Sequence, residues 1–597
     1  MGRLKSSPGK TIKMKNILIT FFLAISPGCF SQQIPSSEFL HTQDQKIVDR
    51  NGENVLLRGI GLGGHMLQEG YMLKVPFSGQ QYVIRKQIEE LIGEQKTAEF
   101  YGAWLANHTR KIDVDSLKSW GFNSVRLPMH FNLYTLPVED EPVQGKNTWL
   151  EKGFQMTDSL LSWAEANQMY LILDMHAAPG GQGHDVNISD RDPSKPSLWE
   201  SGENQQKLVA LWKKLAERYK DEPWIGGYDL INEPNWTFEE GKNKNGLEDT
   251  HNAPLKKLMV EITEAIREVD KNHIIIIEGN GWGNNYNGIL PPWDDNMVIS
   301  FHKYWNYNDT ASIQKFLDFR EKYNTPVWLG ETGENSNVWF TDAIKLMEEN
   351  NIGWCWWPLK KLGFNNPLEV PVNAGYEQIL QYWRGEAEKP SEEEAYSAFM
   401  QLAENTKLEN NYYHKGVVDA MIRQPHSDKA IPFSKVFIED SGILKAANYD
   451  MGKIGVAYHD NVAGNYYIST GGDRQSWNNG RTYRNDGVDI FPMGTRKSYD
   501  DVYVGDLEEG EWMQYTFTVS KNGKFQLAFR TAAGTPGKAA VQVNGKEYPA
   551  FVVPGSDNKW TETSISEIPL QKGENQLRFL TKDGEFKLEQ IMLTRQK

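Results

Sequence analysis

Ile225-Gly226-Gly227-Tyr228-Asp229-Leu230-Ile231-Asn232-Glu233-Pro234 reads as a buried strand that ends abruptly in an amide, a carboxylate and a proline. The proline closes the run, because its ring removes the backbone donor that a continuing central strand would use. Further along, Thr325-Pro326-Val327-Trp328-Leu329-Gly330 runs into Glu331 with the same order of apolar run, small residue and acid. Two carboxyl groups at the ends of two strands can face each other across a bond, which is the arrangement that cleavage between sugars requires.

From residue 50 to about 410, strand-like runs alternate with amphipathic helices, the pattern of a parallel sheet with helices outside it. The strands expected are Val55 to Gly61, Phe122 to Pro128, Tyr170 to His176, Ile225 to Pro234, His273 to Gly279, Met297 to Tyr304, Pro326 to Glu331 and Ile352 to Trp357. Between them, segments such as Asn204 to Lys220 place Leu208, Leu211, Trp212, Leu215 and Tyr219 on one helical face. Such units close into an α/β fold, a (β/α)8 TIM barrel, more naturally than into an open sheet. Polar groups gather at the same ends of these strands: Arg126, His176, Asn232-Glu233, His302-Lys303-Tyr304, Glu331 and Trp356-Trp357. That face of a barrel is where an active site is built, whereas any one of these residues alone reads as a cap, an ion-pair member or a packing group.

In a double displacement, Glu233 suits the acid, since a partly enclosed carboxyl keeps its proton, and the adjacent Asn232 could hold the sugar's 2-hydroxyl. Glu331 suits the nucleophile with a cation such as Arg126 beside it, and is preferred to Glu334, which falls past the strand end in a loop. His302 and Tyr304 could orient the two acids, and Trp357 could floor the sugar. Tyr228 and Trp236 read as packing or rim groups. His176, His184 and Asp185 are close in sequence but lack the spacing of a metal site, and no phosphate-cradling turn opens a helix, so neither metal nor nucleotide cofactor is expected.

The 597-residue length calls for two domains or more. Around residues 424–430 the chain turns polar and reads as a linker, and beyond it alternating Phe525, Leu527, Phe529 and Ala539, Val541, Val543 before an Asn544-Gly545 turn indicate an all-β sandwich over residues 431–597. The barrel is placed at residues 40–423. At the N-terminus, Lys13 and Lys15 precede an apolar run from Ile17 to Ile25, the layout of a secretory signal peptide over residues 1–31, with Met14 an alternative start. Cys29 leaves lipid attachment as the lesser alternative to plain export, and with the signal removed only Cys355 remains, so no internal disulfide is expected. The formal charge of −15 excludes nucleic acid and anionic membrane as main partners, and the 20 Trp are ample for both a core and sugar-stacking platforms. A monomer acting on a neutral glycan is the expectation.

Leu230-Ile231-Asn232-Glu233-Pro234, Ser300-Phe301-His302-Lys303-Tyr304 and Trp328-Leu329-Gly330-Glu331 together resemble glycoside hydrolase family 5 over about residues 45 to 400. The resemblance implies a retaining enzyme with Glu233 as acid/base and Glu331 as nucleophile, and supporting roles for Arg126, His176, Asn232, His302, Tyr304 and Trp357. Arg58 to Gly64 and Asp174 to Gln182 are similar to the branch of exo-β-1,3- and β-1,6-glucanases, but His65 and the ending Trp354-Cys355-Trp356-Trp357-Pro358 depart from it. A β-glucan is therefore the expected substrate class, with β-mannan, other β-linked glycans and transglycosylation open, and a non-catalytic glycan-binding barrel as the remaining alternative. The C-terminal region, through Tyr483-Arg484-Asn485-Asp486 and Gly510-Glu511-Trp512, resembles carbohydrate-binding module family 6. That likeness implies a sugar held between Tyr483 and Trp560. Lys587 and Ala447 depart from the family's sugar-binding Asn and calcium-binding Glu, which leaves glycan and structural calcium open and a purely structural sandwich as the alternative.

Overall fold

The computed structural model describes residues 39–462, 479–494, 499 and 501–597. The signal peptide, Met14 and Cys29 lie outside the described residues. Eight parallel strands close into a barrel: β1 (Arg58–Gly61), β2 (Ser124–His130), β3 (Tyr170–Ala177), β4 (Ile225–Asp229), β5 (Ile275–Ile277), β6 (Met297–Lys303), β7 (Val327–Gly333) and β8 (Gly353–Trp357), with β8 paired to β1. All eight expected strands are present. β1, β4 and β5 are markedly shorter than the expected runs. The ladder of β4 stops at Asp229, and Leu230 to Pro234 turn across the barrel mouth, with Glu233 at φ 42°.

The helices outside the barrel include α1 (Gln81–Asn107), α2 (Lys111–Trp120), α3 (Glu151–Ala166), α4 (Gly202–Tyr219), α5 (Ala253–Arg267), α6 (Thr310–Tyr323) and α7 (Asn337–Glu349). In α4 the Ser201 hydroxyl accepts from Asn204 N, capping the first turn, and Leu208, Leu211, Trp212, Leu215 and Tyr219 are buried against the barrel. Trp212 Nε1 donates to Leu230 O at 2.9 Å, so this helix also fixes the backbone just before Asn232. A short hairpin, His41–Gln43 with Lys46–Val48, plugs the other end of the barrel, where Leu40 and Ile47 pack with Ile172, Ile274, Ile276, Val298 and Trp328. The segment from Gly70 to Trp104 becomes a 3-10 turn (Gly70–Leu73) and α1, which packs with α8 (Ala374–Trp383) and α9 (Glu392–Asn405) as a second apolar layer beside the barrel.

Beyond α10 (Lys415–Ile422) the chain forms two facing sheets around a separate core of Phe525, Leu527, Phe529, Val541, Phe579 and Ile591. The hairpin turn falls at Asn544-Gly545, both at positive φ, joining Val543 to Lys546 as the two-residue turn chemistry requires. The segment at residues 424–430 joins α10 to the first strands of the sandwich. Gln424–His426 form a 3-10 turn, Gln424 Nε2 donates to Asp419 Oδ2 at 2.8 Å, and Asp428 pairs with Lys453. Gln424 and Pro425 are buried, whereas His426, Asp428 and Lys429 are exposed.

Candidate active site

Arg126 on β2 is wholly buried and organises the barrel mouth. Its Nε and Nη2 donate to Asp229 Oδ2 at 3.0 and 2.8 Å, Nη2 also to Asn232 Oδ1 at 2.9 Å and Glu278 Oε1 at 3.0 Å, and Nη1 to Glu331 Oε2 at 2.8 Å. Asp174 Oδ2 lies 3.3 Å from Nη1. The other oxygen of Glu331 accepts from Tyr304 OH at 2.8 Å, so both lone-pair edges of this carboxylate are held. Glu233 is bonded to His302 instead: Nδ1 is 2.7 Å from Glu233 Oε1 and 4.0 Å from Glu331 Oε1, while Nε2 is 3.1 Å from Glu278 Oε1. Glu278 Oε2 in turn accepts the Glu233 backbone N–H at 2.7 Å, which stabilises the turned conformation of that residue.

Five carboxyl groups (Asp174, Asp229, Glu233, Glu278 and Glu331) thus share two cationic side chains, Arg126 and His302. Burial alone would strip the His302 proton, but the Glu278 and Glu331 charges and the bonds to Glu233 and Glu278 outweigh it, holding the imidazole well above its ordinary range. Burial raises Glu233, the bond and charge of His302 oppose it, and Glu331 and Glu278 add to the rise. The result is a carboxyl held above its ordinary range beside one that Arg126 and Tyr304 hold by both oxygens. A ligand oxygen of Glu233, one of Glu331 and a His302 ring nitrogen all lie within 4.8 Å of one another. That is close enough for the two carboxyls to serve one anomeric carbon from its two sides in a retaining reaction. The same trio is the cluster among the described residues that could hold a metal by proximity. It does not fit one well, because a protonated imidazole bonded at both nitrogens offers no lone pair.

The remaining residues singled out in the sequence surround this core. His176 Nδ1 lies 2.7 Å from Asp174 Oδ2, His176 Nε2 lies 3.4 Å from Asn232 Nδ2, and its ring stacks on Trp357 with centroids 4.9 Å apart. Gln182 Nε2 donates to Asn232 O at 2.9 Å and Asn235 Nδ2 to Glu233 O at 2.9 Å, so the backbone of the Asn-Glu pair is pinned from both sides. Tyr228 faces away, donating to Asp270 at 2.7 Å, and Trp236 stacks on His184 and lies under Arg191. Glu334 falls in the loop just past Gly333, where Lys361 Nζ holds its Oε1 at 2.5 Å. In the sandwich, Tyr483 and Trp560 keep separate company. Tyr483 bonds Asn448, lies near Phe433 and Tyr499, and lines a 210 Å³ cavity with barrel residues Tyr412 and His414. Trp560 is half-buried, edge-on to Tyr503 with Arg530 at its face.

Several groups escaped the sequence reading. Glu278 follows Ile274 to Ile277, the same apolar run closed by an acid that marks Glu233 and Glu331, and could have been found by that signal. Glu69 and Tyr71 carry no such mark. Glu69 is buried, and desolvation together with the charges of Glu331, Glu334 and Glu233 pushes it well above the carboxyl range. Tyr71 OH accepts from Trp357 Nε1 at 3.0 Å under the Lys361 ammonium. A 740 Å³ cavity lies to one side, bounded by His130, Phe131, Asp190 and Lys207, and none of the cluster's carboxyls lines it.

A barrel of this topology with paired carboxyls at the ends of β4 and β7, bridged by His302 and with Arg126 on the second of them, is that of a glycosidase. Residues 87–363 match the family model described as cellulase, glycosyl hydrolase family 5, and this segment is a glycoside hydrolase family 5 domain. The chain is 25% identical over 379 residues to a β-xylosidase of Phanerodontia chrysosporium, covering 58% of this chain and 75% of that one. It is 26% identical over 332 residues to endoglucanase C of Acetivibrio thermocellus, covering 45% and 89%. A solved β-glucanase from Saccharophagus degradans aligns at 18% identity over 62% of this chain and 94% of its own, with a TM-score of 0.36.

Proposed function

We propose that the protein is an exported, retaining β-glucan hydrolase in which Glu233 is the acid/base and Glu331 the nucleophile. The carrying observation is the division of partners: Arg126 and Tyr304 bond both oxygens of Glu331, while Glu233 is enclosed beside His302, with burial raising its pKa. In the first step Glu233 protonates the leaving oxygen as Glu331 attacks the anomeric carbon, breaking the glycosidic bond and forming a glycosyl ester. In the second, Glu233 takes a proton from water, which displaces Glu331. Asn232, its amide oxygen anchored by Arg126, presents its NH2 towards the sugar, and Trp357 stacked on His176 forms a floor.

The endoglucanase among the relatives supports a β-glucan, and the β-xylosidase supports a pentose chain as the nearest alternative. On the sandwich, the half-buried Trp560 with Arg530 beside it is the surface we assign to glycan contact.

Reducing-sugar release from defined β-glucans, β-xylan and β-mannan by the wild type, with product sizing, tests the substrate. Glu331→Ala is expected to lose at least about 10⁴-fold in kcat on an activated aryl glycoside, of the order seen when a nucleophile is deleted. Azide should then restore turnover and give the glycosyl azide of inverted anomeric configuration. An unimpaired Glu331→Ala enzyme would remove this residue from the mechanism.

A further inference from the structure

The sandwich meets the barrel at the loop that follows Glu331. Strand β7 ends at Gly333 and α7 begins at Asn337, so this loop is short. It carries part of the cleft rim: Trp305, 38% exposed, donates its Nε1 to Glu334 O at 3.2 Å, and Glu334 holds Lys361, which lies over Tyr71. The same loop is bonded to the sandwich. Asn337 N donates to Asn485 O at 2.8 Å, Asn485 Nδ2 donates to Asn335 O at 2.8 Å and to Asn337 Oδ1 at 3.1 Å, and Asn337 Nδ2 donates to Asp486 Oδ1 at 2.7 Å. All four residues are buried, and Asp486 is itself fixed by Arg484 at 2.8 Å and by Tyr449 OH at 3.1 Å.

Loops on the catalytic face of a barrel are ordinarily its most mobile parts. A buried, charge-assisted network has one low-energy geometry and strongly resists distortion. Here such a network, supplied by another domain, grips the backbone four to six residues after the acid that attacks the sugar. The motif Tyr483-Arg484-Asn485-Asp486 therefore faces the barrel.

We propose that Asn485 and Asp486 are positioning residues for the barrel's chemistry: by holding the Gly333–Asn337 loop, the sandwich sets the end of β7, and with it Glu331 and Trp305, in reactive geometry. This rests on the reading of Glu331 as nucleophile. The domain is on this account a structural part of the catalytic frame as well as an attachment device.

The test is a double-mutant cycle in the full-length chain with Asn337→Ala, Asp486→Ala and the pair. The readout is the rate of covalent trapping by 2,4-dinitrophenyl 2-deoxy-2-fluoro-β-cellobioside, in which the carboxylate of Glu331 bonds the anomeric carbon as dinitrophenolate leaves. Each single variant is expected to be trapped about tenfold more slowly, the loss of one charge-assisted bond, and the double no more than about threefold more slowly than the worse single. The exposed sandwich variant Lys538→Ala should match the wild type. Trapping within about twofold of wild type, in variants whose Tm has fallen, would leave the contacts as domain glue and overturn the proposal. So would fully multiplicative losses. A wild type labelled only by the corresponding xylobioside or mannobioside changes the sugar and not the positioning claim, which the same cycle then decides. No labelling by any of them removes Glu331 as nucleophile and the proposal with it.

Discussion

Replacing Glu278 by Gln keeps the side-chain volume and deletes one buried negative charge from the centre of the site. The carboxylate accepts from Arg126 Nη2 at 3.0 Å, from His302 Nε2 at 3.1 Å and from Glu233 N at 2.7 Å. With charge centres about 5 Å apart and an effective dielectric near 20, its attraction for the imidazolium is about 3 kcal/mol, or about two pH units. The groups that face it are Arg126, His302, Glu233 and Asp229, and the last two lose a repelling neighbour. Less negative charge lowers the proton affinity of the Glu233–His302 pair, which titrates jointly. The alkaline limb of kcat/KM, which reports the acid in the free enzyme, is therefore expected to fall by about one to two pH units. An amide also cannot accept from all three donors, so activity at the optimum should drop about tenfold or more. Initial rates on an activated aryl glycoside across the pH range, with Tm at each end, make the measurement. An alkaline limb that stays in place or moves upward would refute the charge argument.

Two further outcomes follow from packing and burial. At Gly333, φ 151°, a Cβ would sit inside the van der Waals radius of the Trp357 carbonyl oxygen on the neighbouring strand, so Gly333→Ala should cost about 3 kcal/mol, read as a fall in the denaturation midpoint with unchanged slope. Burial lowers Lys303 from 10.5 to about 7, with the Asp309 charge opposing. Between those values the unfolded chain binds a proton that the folded chain releases, so wild-type stability rises with pH across that window. Lys303→Met, which loses the bonds to Asn306 and to Tyr307 O, should be about 2 kcal/mol more stable than wild type below pH 7, with the advantage fading towards pH 10. A pH-independent difference in Tm would contradict this.

The barrel was legible because each strand is buried on both sides and reads as a continuous apolar run, while each helix shows one apolar face. The paired acids were legible because polar residues close those runs on one face. Where β4 stops was not legible: Leu230 and Ile231 are as apolar as the strand before them, and Trp212 and Gln182 decide the turn from elsewhere in the chain. Glu69 and Tyr71 sit in a stretch without period, placed by bonds such as Gly70 N to Gly79 O and Trp357 Nε1 to Tyr71. Residues 424–430 have the composition of a linker because their partners are also polar. The Tyr483 motif was read for a sugar, yet its partners include residues of another domain, which no local pattern encodes.

The hairpin under the barrel sets a limit on how far the chain can be trimmed. Cleavage at any point up to residue 38 would leave Leu40 and Ile47 seated against Ile274, Ile276 and Trp328. A cut ten residues later would open that apolar floor to water at the end opposite the carboxyls. At about 25 cal/mol per Å² of newly wetted apolar surface, such a clipped enzyme should survive as a less stable, aggregation-prone form with its catalytic groups still in place. Heterogeneity of the N-terminus beyond residue 38 would therefore register as lost shelf life before it registered as lost activity.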